Sequence, residues 1–210
     1  MDMDDRLAVL IQKIKLLEAE MLEELGKKQK EFLYEVAKKR VRFQETAVAA
    51  HKKFLKHVPR YLLDASLRNI LTAPIIWSII FPALLIDVTV SLFQAICFPA
   101  YGIPKVKRSD YIVMDRHYLK YLNLIEKANC YYCGYFNGLL LYIEEIAART
   151  EQYWCPIKHA RKIKDTHSRY RKFLDYGDAE AYATRLEKVR GDFDDLKPKS
   201  KGVRPVPEAK

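Results

Sequence analysis

A nearly uncharged stretch, residues 69–104, constrains this chain more than any other feature, because Asp87 is its only charged side chain. A membrane-spanning helix needs about 20 apolar residues. Proline kinks a helix, and Pro82 divides the stretch into Leu71–Phe81 and Ala83–Phe98. Neither part alone comfortably crosses a hydrocarbon core of about 30 Å at about 1.5 Å per residue. The stretch therefore predicts a membrane-associated segment that is bent.

Both flanks of this segment are basic, and the positive-inside rule places basic flanks on the cytoplasmic side. The flanking cations are Lys52, Lys53, Lys56, Arg60 and Arg68 before the segment and Lys105, Lys107, Arg108 and Arg116 after it. We therefore predict a re-entrant or monotopic helical hairpin bent near Pro82, with both termini cytoplasmic. A single tilted span and the buried hairpin of a soluble protein stay open as alternatives.

Asp87 is the anomaly of the segment, since a carboxylate at membrane depth is costly and often functional. The alternative is a local role, as a helix cap or in hydrogen bonds with Thr89, Ser91 or a carbonyl freed near Pro82. We favour the local role because no second acid lies nearby for a proton relay.

The N-terminal residues 4–60 predict one long amphipathic, coiled-coil-like helix, or two in tandem. Apolar residues from Met21 to Val58 alternate steps of four and seven, which fits a straight helix. For residues 4–30 we favour packing, either within the protein or through self-association or a protein partner. For residues 38–60, which are rich in lysine and arginine, we favour contact with anionic lipid headgroups.

A possible metal site follows the apolar segment. Cys130 and Cys133 are three residues apart, and Cys155 and His159 are four apart, so each pair shares one face if its segment is helical. Three sulfurs and one imidazole suit a structural Zn²⁺ ion. We therefore predict a zinc site at these four residues, tying together a small helical domain.

Three other interpretations of the cysteines stay open. Iron or an iron–sulfur cluster is a less favoured alternative to zinc. Such a cluster usually prefers four cysteines, and Cys97 could be the fourth ligand only if the apolar segment ends close to the domain. Cys130 and Cys133 could form a redox dithiol, although the β-α-β context of such motifs is absent. Cys155 and His159 could form a catalytic pair, for which no oxyanion hole is evident.

The whole sequence predicts an all-α protein in four regions. These are the amphipathic helix at 1–60, the membrane segment at 69–104, a metal-tied helical domain at 105–196 and a disordered tail at 197–210. Further helices are predicted from near Asp115 toward Cys130, over Leu139–Arg149, from Cys155 and from Asp178 to about Leu196; no strand is predicted. Gly134 and Gly138 either separate the first two of these helices or mark a close crossing within one continuous helix.

The net charge of +10 and the pI of about 9.3 favour an anionic partner. Four clustered cysteines do not form a disulfide framework, and the acidic start is unlike a secretory signal peptide. Any membrane contact is therefore expected from the internal segment. Lipid is the favoured partner, and nucleic acid is a weaker candidate.

The blocks Asn129-Cys130-Tyr131-Tyr132-Cys133 and Arg149-Thr150-Glu151-Gln152-Tyr153-Trp154-Cys155-Pro156-Ile157-Lys158-His159-Ala160-Arg161 follow the apolar segment. In this arrangement the chain resembles an uncharacterised family of bacterial proteins, common in proteobacteria, over roughly residues 60–180. The resemblance implies a bacterial inner-membrane setting and supplies no mechanism.

Three functions are compatible with the sequence. The first is a membrane-attached scaffold or adaptor at the cytoplasmic face, with a structural zinc. The second is a metal- or thiol-dependent redox enzyme acting on a membrane substrate, with Cys130, Cys133, Cys155 and His159 at its centre. The third is a nucleic-acid binder that uses basic and aromatic side chains.

Overall fold

The computed structural model describes residues 3–37 and 40–196, and this part of the chain is mostly helical with one two-stranded sheet. The predicted disordered tail, 197–210, lies outside the described residues. The helices and strands are α1 Met3–Glu31, β1 Tyr34–Ala37, β2 Arg40–Phe43, α2 Glu45–Lys53, α3 Val58–Leu63, α4 Leu67–Ser78, α5 Ile80–Ala100, α6 Leu124–Trp154 and α7 Ala179–Gly191. The predominance of helix agrees with the predicted fold class.

The N-terminal region differs from its prediction, because a β-hairpin follows α1. Antiparallel β1 and β2 pair Tyr34 with Phe43 and Val36 with Val41. These apolar residues alternate with polar ones at the period of a strand, and aromatic and β-branched residues favour strands. Leu33, with φ of 53°, adopts the left-handed conformation between α1 and the hairpin. The expectation of helix throughout 4–60, without a strand, is therefore wrong.

The chain forms two compact units. One comprises residues 1–69 and 114–131, and the other comprises residues 70–113 and 132–210, in each case as far as the structure describes them. The apolar segment thus belongs to the same unit as most of the predicted C-terminal domain. We refer to them as the N-terminal unit and the C-terminal unit.

The longest helix, α6, begins at a reciprocal cap. The Asn123 side chain accepts a hydrogen bond from the Glu126 backbone N–H at 3.0 Å, and the Glu126 carboxylate accepts one from the Asn123 N–H at 2.9 Å. This arrangement is a capping box with asparagine at the first position. The residues from Asp115 to Asn123 precede the helix and include only a short 3₁₀ turn, Arg116–Tyr118. The helix predicted from near Asp115 therefore starts about two turns later.

Helix α6 continues without interruption through both of its glycines. The structure has the continuous helix of the second alternative, but the close approach is at Gly138 and is made by the non-helical residues Tyr111 and Ile112, not by a crossing helix. A Cβ at Gly138 would lie 2.7 Å from the Tyr111 carbonyl oxygen and 2.8 Å from Ile112 Cα. Glycine therefore lets the backbone of the preceding segment lie directly on α6.

The core of the C-terminal unit lies along one face of α6. Leu139, Tyr142 and Ile146 are each at most 2% exposed. They belong to a cluster that also contains Ala83, Phe98, Ile103, Val106 and Phe193. Spacings of three and four residues on α6 place these side chains on one stripe.

A buried arginine side chain links the C-terminal end of α6 to the residues that follow α7. Arg169, which is 2% exposed, donates to the Gln152 side chain at 2.6 Å and to both carboxylate oxygens of Asp195 at 2.6 and 3.0 Å. The hydrogen bonds from Arg169, helped by Lys172, hold the pKa of Asp195 well below its usual range. Gln152 in turn donates to the carbonyls of Val189 and Asp192. The region after α7 is thus fixed to α6 by polar contacts.

Helix α7 begins where the sequence predicts it. Asp178 is its N-cap and accepts a hydrogen bond from the Ala181 N–H at 2.8 Å. The helix ends at Gly191, earlier than predicted, and a 3₁₀ turn at Asp194–Leu196 follows.

The close approach at Gly138 leads to a stability prediction. Gly138→Ala should lower the free energy of unfolding by about 1–3 kcal/mol, because backbone atoms of Tyr111 and Ile112 would have to move. Gly191→Ala is the matched control in the same unit: no atom lies within 4 Å of its Cβ, so we expect little change. Denaturant unfolding in detergent measures both variants, and equal midpoints would contradict the close packing at Gly138.

Candidate membrane-contact site and the predicted metal ligands

Helices α4 and α5 form the one helical segment in the described structure, Leu67–Ala100, that is long and apolar enough to cross a membrane by length and composition. The two helices are separated only at Ile79, which keeps helical φ and ψ of −63° and −18°. The segment therefore does not reverse direction near Pro82, in contrast to the predicted hairpin. Pro82 lies in the first turn of α5, where its missing N–H leaves only the Ser78 carbonyl without its helical donor.

The outer face of this segment exposes its large apolar side chains. Phe81, Leu85 and Ile96 on α5 are each 70–73% exposed. Others on the same two helices are also exposed: Leu67, Ile70, Leu71, Ile75, Ile76, Leu84, Ile86, Val88 and Leu92. A continuous exposed apolar surface of this kind is typical of a membrane or protein contact.

The inner face of α5 carries the polar residues of the segment. Asp87 and Gln94 are each 7% exposed, and they lie on one stripe with Ala83 and Phe98. Helix α5 is thus apolar toward the outside and partly polar toward the protein, the reverse of a helix from a soluble protein.

Asp87 is paired with residues far away in the sequence. Its Oδ2 atom accepts a hydrogen bond from Arg108 Nη2 at 2.6 Å and another from the Tyr135 hydroxyl at 2.7 Å. The contact with Ser91, which the sequence suggested, is longer at 3.4 Å, and the Thr89 hydroxyl donates instead to the Leu85 carbonyl. Asp87 therefore forms a structural ion pair with Arg108 and does not act mainly as a local cap. The sequence predicted neither Arg108 nor Tyr135 as its partner.

Tyr135 is protonated over a wide pH range at this contact. Burial, together with the hydrogen bond that it donates to Asp87, raises the pKa of Tyr135 to about 12. Loss of the proton would place a phenolate against a carboxylate. Tyr135 therefore acts as a permanent hydrogen-bond donor.

Gln94, seven residues after Asp87 on α5, makes the second polar contact. Its Nε2 donates to the Tyr142 hydroxyl at 2.6 Å, and its Oε1 accepts from the Val106 N–H at 2.6 Å. Because Asp87 contacts Tyr135 and Gln94 contacts Tyr142, α5 and α6 run in the same direction with a constant offset of 48 residues.

A third strip of chain, the return segment 103–112, connects these parallel helices by running back along α5. Its Ile103 N–H donates to the Phe98 carbonyl, Val106 meets Gln94, and Arg108 meets Asp87. Parallel neighbours require such a crossover, because a short turn can join only antiparallel helices. The side chains of Lys105, Lys107, Arg108 and Asp110 on this segment are exposed.

A tyrosine also contacts the backbone near the break between α4 and α5. The Tyr132 hydroxyl donates to the Ile76 carbonyl at 2.8 Å, and its ring lies 5.1 Å from that of Trp77. The contact satisfies a backbone acceptor close to the irregular turn at Ile79.

The predicted metal ligands lie at separate places along the chain. Cys130 and Cys133 are one turn apart on α6, as expected, and Cys133 is exposed. Cys155 directly follows the end of the same helix, so Cys133 and Cys155 are about 33 Å apart along its axis. Among the described residues there is no group of three or more His, Cys, Asp or Glu side chains that could hold a metal.

The segment from Cys155 to His159 is extended, where the sequence predicted the start of a helix. Pro156 lacks the N–H that would continue α6, and proline disfavours helix at the residue before it. Ile157 instead pairs with Leu174 in a parallel bridge, and the His159 N–H donates to the Tyr170 hydroxyl at 2.8 Å. Cys155 and His159 therefore do not form an i, i+4 helical pair.

Comparison of the chain with family models, with curated proteins and with solved structures gives no match.

The Asp87 contacts predict a measurable coupling with Arg108. Asp87→Asn should lower the free energy of unfolding by about 1–2 kcal/mol, because it weakens hydrogen bonds to a charged group. In Asp87→Asn/Arg108→Gln the loss should be smaller than the sum of the two single losses, since the pair is already broken. Ser91→Ala, at the end of the long 3.4 Å contact, is the control and should change little. Strictly additive losses would show that the ion pair contributes nothing.

The positions of the cysteines give a prediction for metal analysis. From the separation of Cys133 and Cys155 we expect that Cys133→Ser and Cys155→Ser each leave the metal content and the unfolding midpoint unchanged. Elemental analysis of protein purified from membranes without chelator tests this. About one zinc per chain, lost in both variants, would support the predicted zinc site and would contradict the separation of Cys133 and Cys155 in this structure.

Proposed function

We propose that this protein is a monotopic membrane protein. Helices α4 and α5 lie along one leaflet and hold the helical units at the membrane surface, as a scaffold or adaptor. The main support for this proposal is that the return segment, which carries exposed charged side chains, lies beside α5 close to the middle of Leu67–Ala100.

The return segment argues against a crossing of the bilayer. Arg108 is side by side with Asp87, which lies close to the middle of Leu67–Ala100. If the helix crossed the membrane, the 44% exposed Arg108 side chain would lie near the centre of the hydrocarbon. Each charged side chain there costs at least about 2.5–3.5 kcal/mol, and the neighbouring Lys105 and Lys107 would add to the cost. A position along the interface avoids this cost.

In an interfacial position the two faces of α5 match their surroundings. The exposed Phe81, Leu85 and Ile96 would enter the acyl region, and the return segment would remain at headgroup depth. Lys105, Lys107 and Arg108 then lie where anionic headgroups attract cations. A segment that does not cross the membrane would keep the basic regions before and after it on the same side, and we propose that this side is the cytoplasmic face of a bacterial inner membrane.

The N-terminal helix supplies the surface for a partner. On α1 the side chains of Ile14, Leu17, Met21 and Leu25 recur every three or four residues and are each 47–63% exposed. A stripe of this spacing fits a second helix, from another copy or from another protein. The exposed stripe supports the adaptor role.

Depth measurements on α5 test the orientation. Leu85 and Ile96 are eleven residues apart on one exposed face, so a crossing helix places them at depths that differ by about 16 Å. We expect Leu85→Trp and Ile96→Trp, each in a Trp77→Phe/Trp154→Phe background, to be quenched equally by lipids brominated at a given acyl position. The measurement uses full-length protein reconstituted into vesicles that contain acidic lipid.

Lys107→Trp in the same background is the control for the return segment. Its fluorescence should be quenched by aqueous iodide and little by brominated acyl chains. A difference of about 16 Å between the first two positions would establish a span, and no quenching of either by lipid would remove the membrane proposal altogether.

A further inference from the structure

The N-terminal unit contains a cavity of about 600 Å³ that the membrane proposal does not use. Three parts of the chain form it: the β-hairpin, α2 with Phe54, and the segment 115–121. Its lining residues are Phe32, Tyr34, Val41, Phe43, His51, Phe54, Asp115, Arg116, Leu119 and Tyr121. This volume lies within the usual range of small-molecule sites, about 300–1,000 Å³.

The walls are formed mostly by aromatic rings in contact with one another. The ring centroids of Tyr34 and Phe43 are 5.6 Å apart, those of Phe43 and His51 are 5.0 Å apart, and those of His51 and Tyr121 are 5.1 Å apart. Strand alternation explains part of the lining, because Tyr34, Val41 and Phe43 project from the same face of the hairpin. The result is a preformed apolar wall rather than a set of isolated surface residues.

The same unit buries few side chains of its own. Ala47 and Asn123 are the buried residues among its described side chains, whereas Phe32 and Phe54 in the cavity wall are 52% and 79% exposed. An apolar ligand that covers exposed aromatic surface in a concavity removes that surface from water, which favours binding. The cavity therefore favours an occupant with a hydrocarbon body.

The polar groups of the cavity point to an acidic end on that occupant. Arg116 supplies a guanidinium to the lining, and Lys52 and Lys53 follow His51 in the last turn of α2. In addition, His51 Nδ1 is a buried polar atom without a hydrogen-bond partner in the described part of the chain. Asp115 is the single acid of the lining and Arg116 is its single arginine, and the two lysines that follow His51 in the chain add positive charge to that end of α2.

From these observations we propose that the cavity binds the hydrocarbon chain of an acidic amphiphile, with its carboxylate or phosphate near Arg116. Two sources share this chemistry, a free fatty acid and an acidic phospholipid. The aromatic wall takes the chain and Arg116 selects the anionic end, so a neutral amphiphile of equal length should bind much less.

Photo-crosslinking of full-length protein in vesicles tests the site. The probes are a diazirine-labelled palmitic acid, a phosphatidylglycerol that carries the same acyl chain, and the neutral diacylglycerol with that chain. After irradiation, mass spectrometry of proteolytic fragments should find one or both acidic probes on residues 32–54 and 115–121. The fatty acid alone would identify a soluble ligand, and the phospholipid would identify a membrane source.

Matched variants make the assignment specific. Val41→Trp fills the cavity and should reduce labelling of these fragments at least about tenfold, whereas Ala37→Trp, on the other face of the hairpin, should not. Arg116→Gln should abolish the preference for acidic over neutral probes, and Asp115→Asn should preserve it. Labelling of residues 67–100 in every sample shows that the probe reached the protein, and it reports on the membrane proposal separately.

Any of three results would overturn the cavity proposal. The first is the absence of crosslinks at 32–54 and 115–121 while residues 67–100 are labelled. The second is equal labelling of the cavity fragments by neutral and acidic probes, and the third is equal labelling of these fragments in Val41→Trp and in the unmodified protein.

Discussion

The contact of Asp87 with Arg108 and Tyr135 is the interaction on which the C-terminal unit depends. A carboxylate that is 7% exposed needs donors, and here one is charged and the other is a phenol that keeps its proton. The contact joins α5, the return segment and α6 at one place. Since removal of either donor would leave a buried charge less satisfied, the three parts are held in one register.

The polar contacts of α5 also determine which face of this helix remains apolar. Asp87 and Gln94 are a heptad apart and meet Tyr135 and Tyr142, which are a heptad apart on α6. Every polar side chain that α5 directs inward is thereby used within the protein. The outward stripe is left with apolar side chains and with Thr89, whose hydroxyl donates to the Leu85 carbonyl. This division makes a single-leaflet position compatible with a helix that contains a charge.

The sequence predicts the helical class, the apolar segment and the beginning of α7, because each depends on local signals. Asp178 can cap a helix whatever surrounds it, and residues 69–104 are apolar by composition. The partners of Asp87 could not be predicted in this way, because Arg108 reaches it only through a crossover whose path is set by tertiary packing. The spacing of Asp87 and Gln94 did carry a signal, namely two polar residues on one helical face of an otherwise apolar segment.

The predictions of a bend at Pro82 and of helix over the β-hairpin are wrong for a common reason. In both cases the position of a residue within its helix or strand mattered more than the type of residue. Proline interrupts a helix interior, yet Pro82 lies in the first turn of α5, where its missing N–H leaves only the Ser78 carbonyl without its helical donor. In the hairpin, apolar residues that fit a helical spacing also alternate with polar ones at a period of two from Tyr34 to Phe43. The pairing of β1 with β2 determines that the chain adopts the strand pattern. The metal prediction assumes two short helical pairs that face each other, and it stays a prediction that metal analysis tests. The continuity of α6 separates the cysteines of those pairs, and the same continuity gives the protein its longest packing surface.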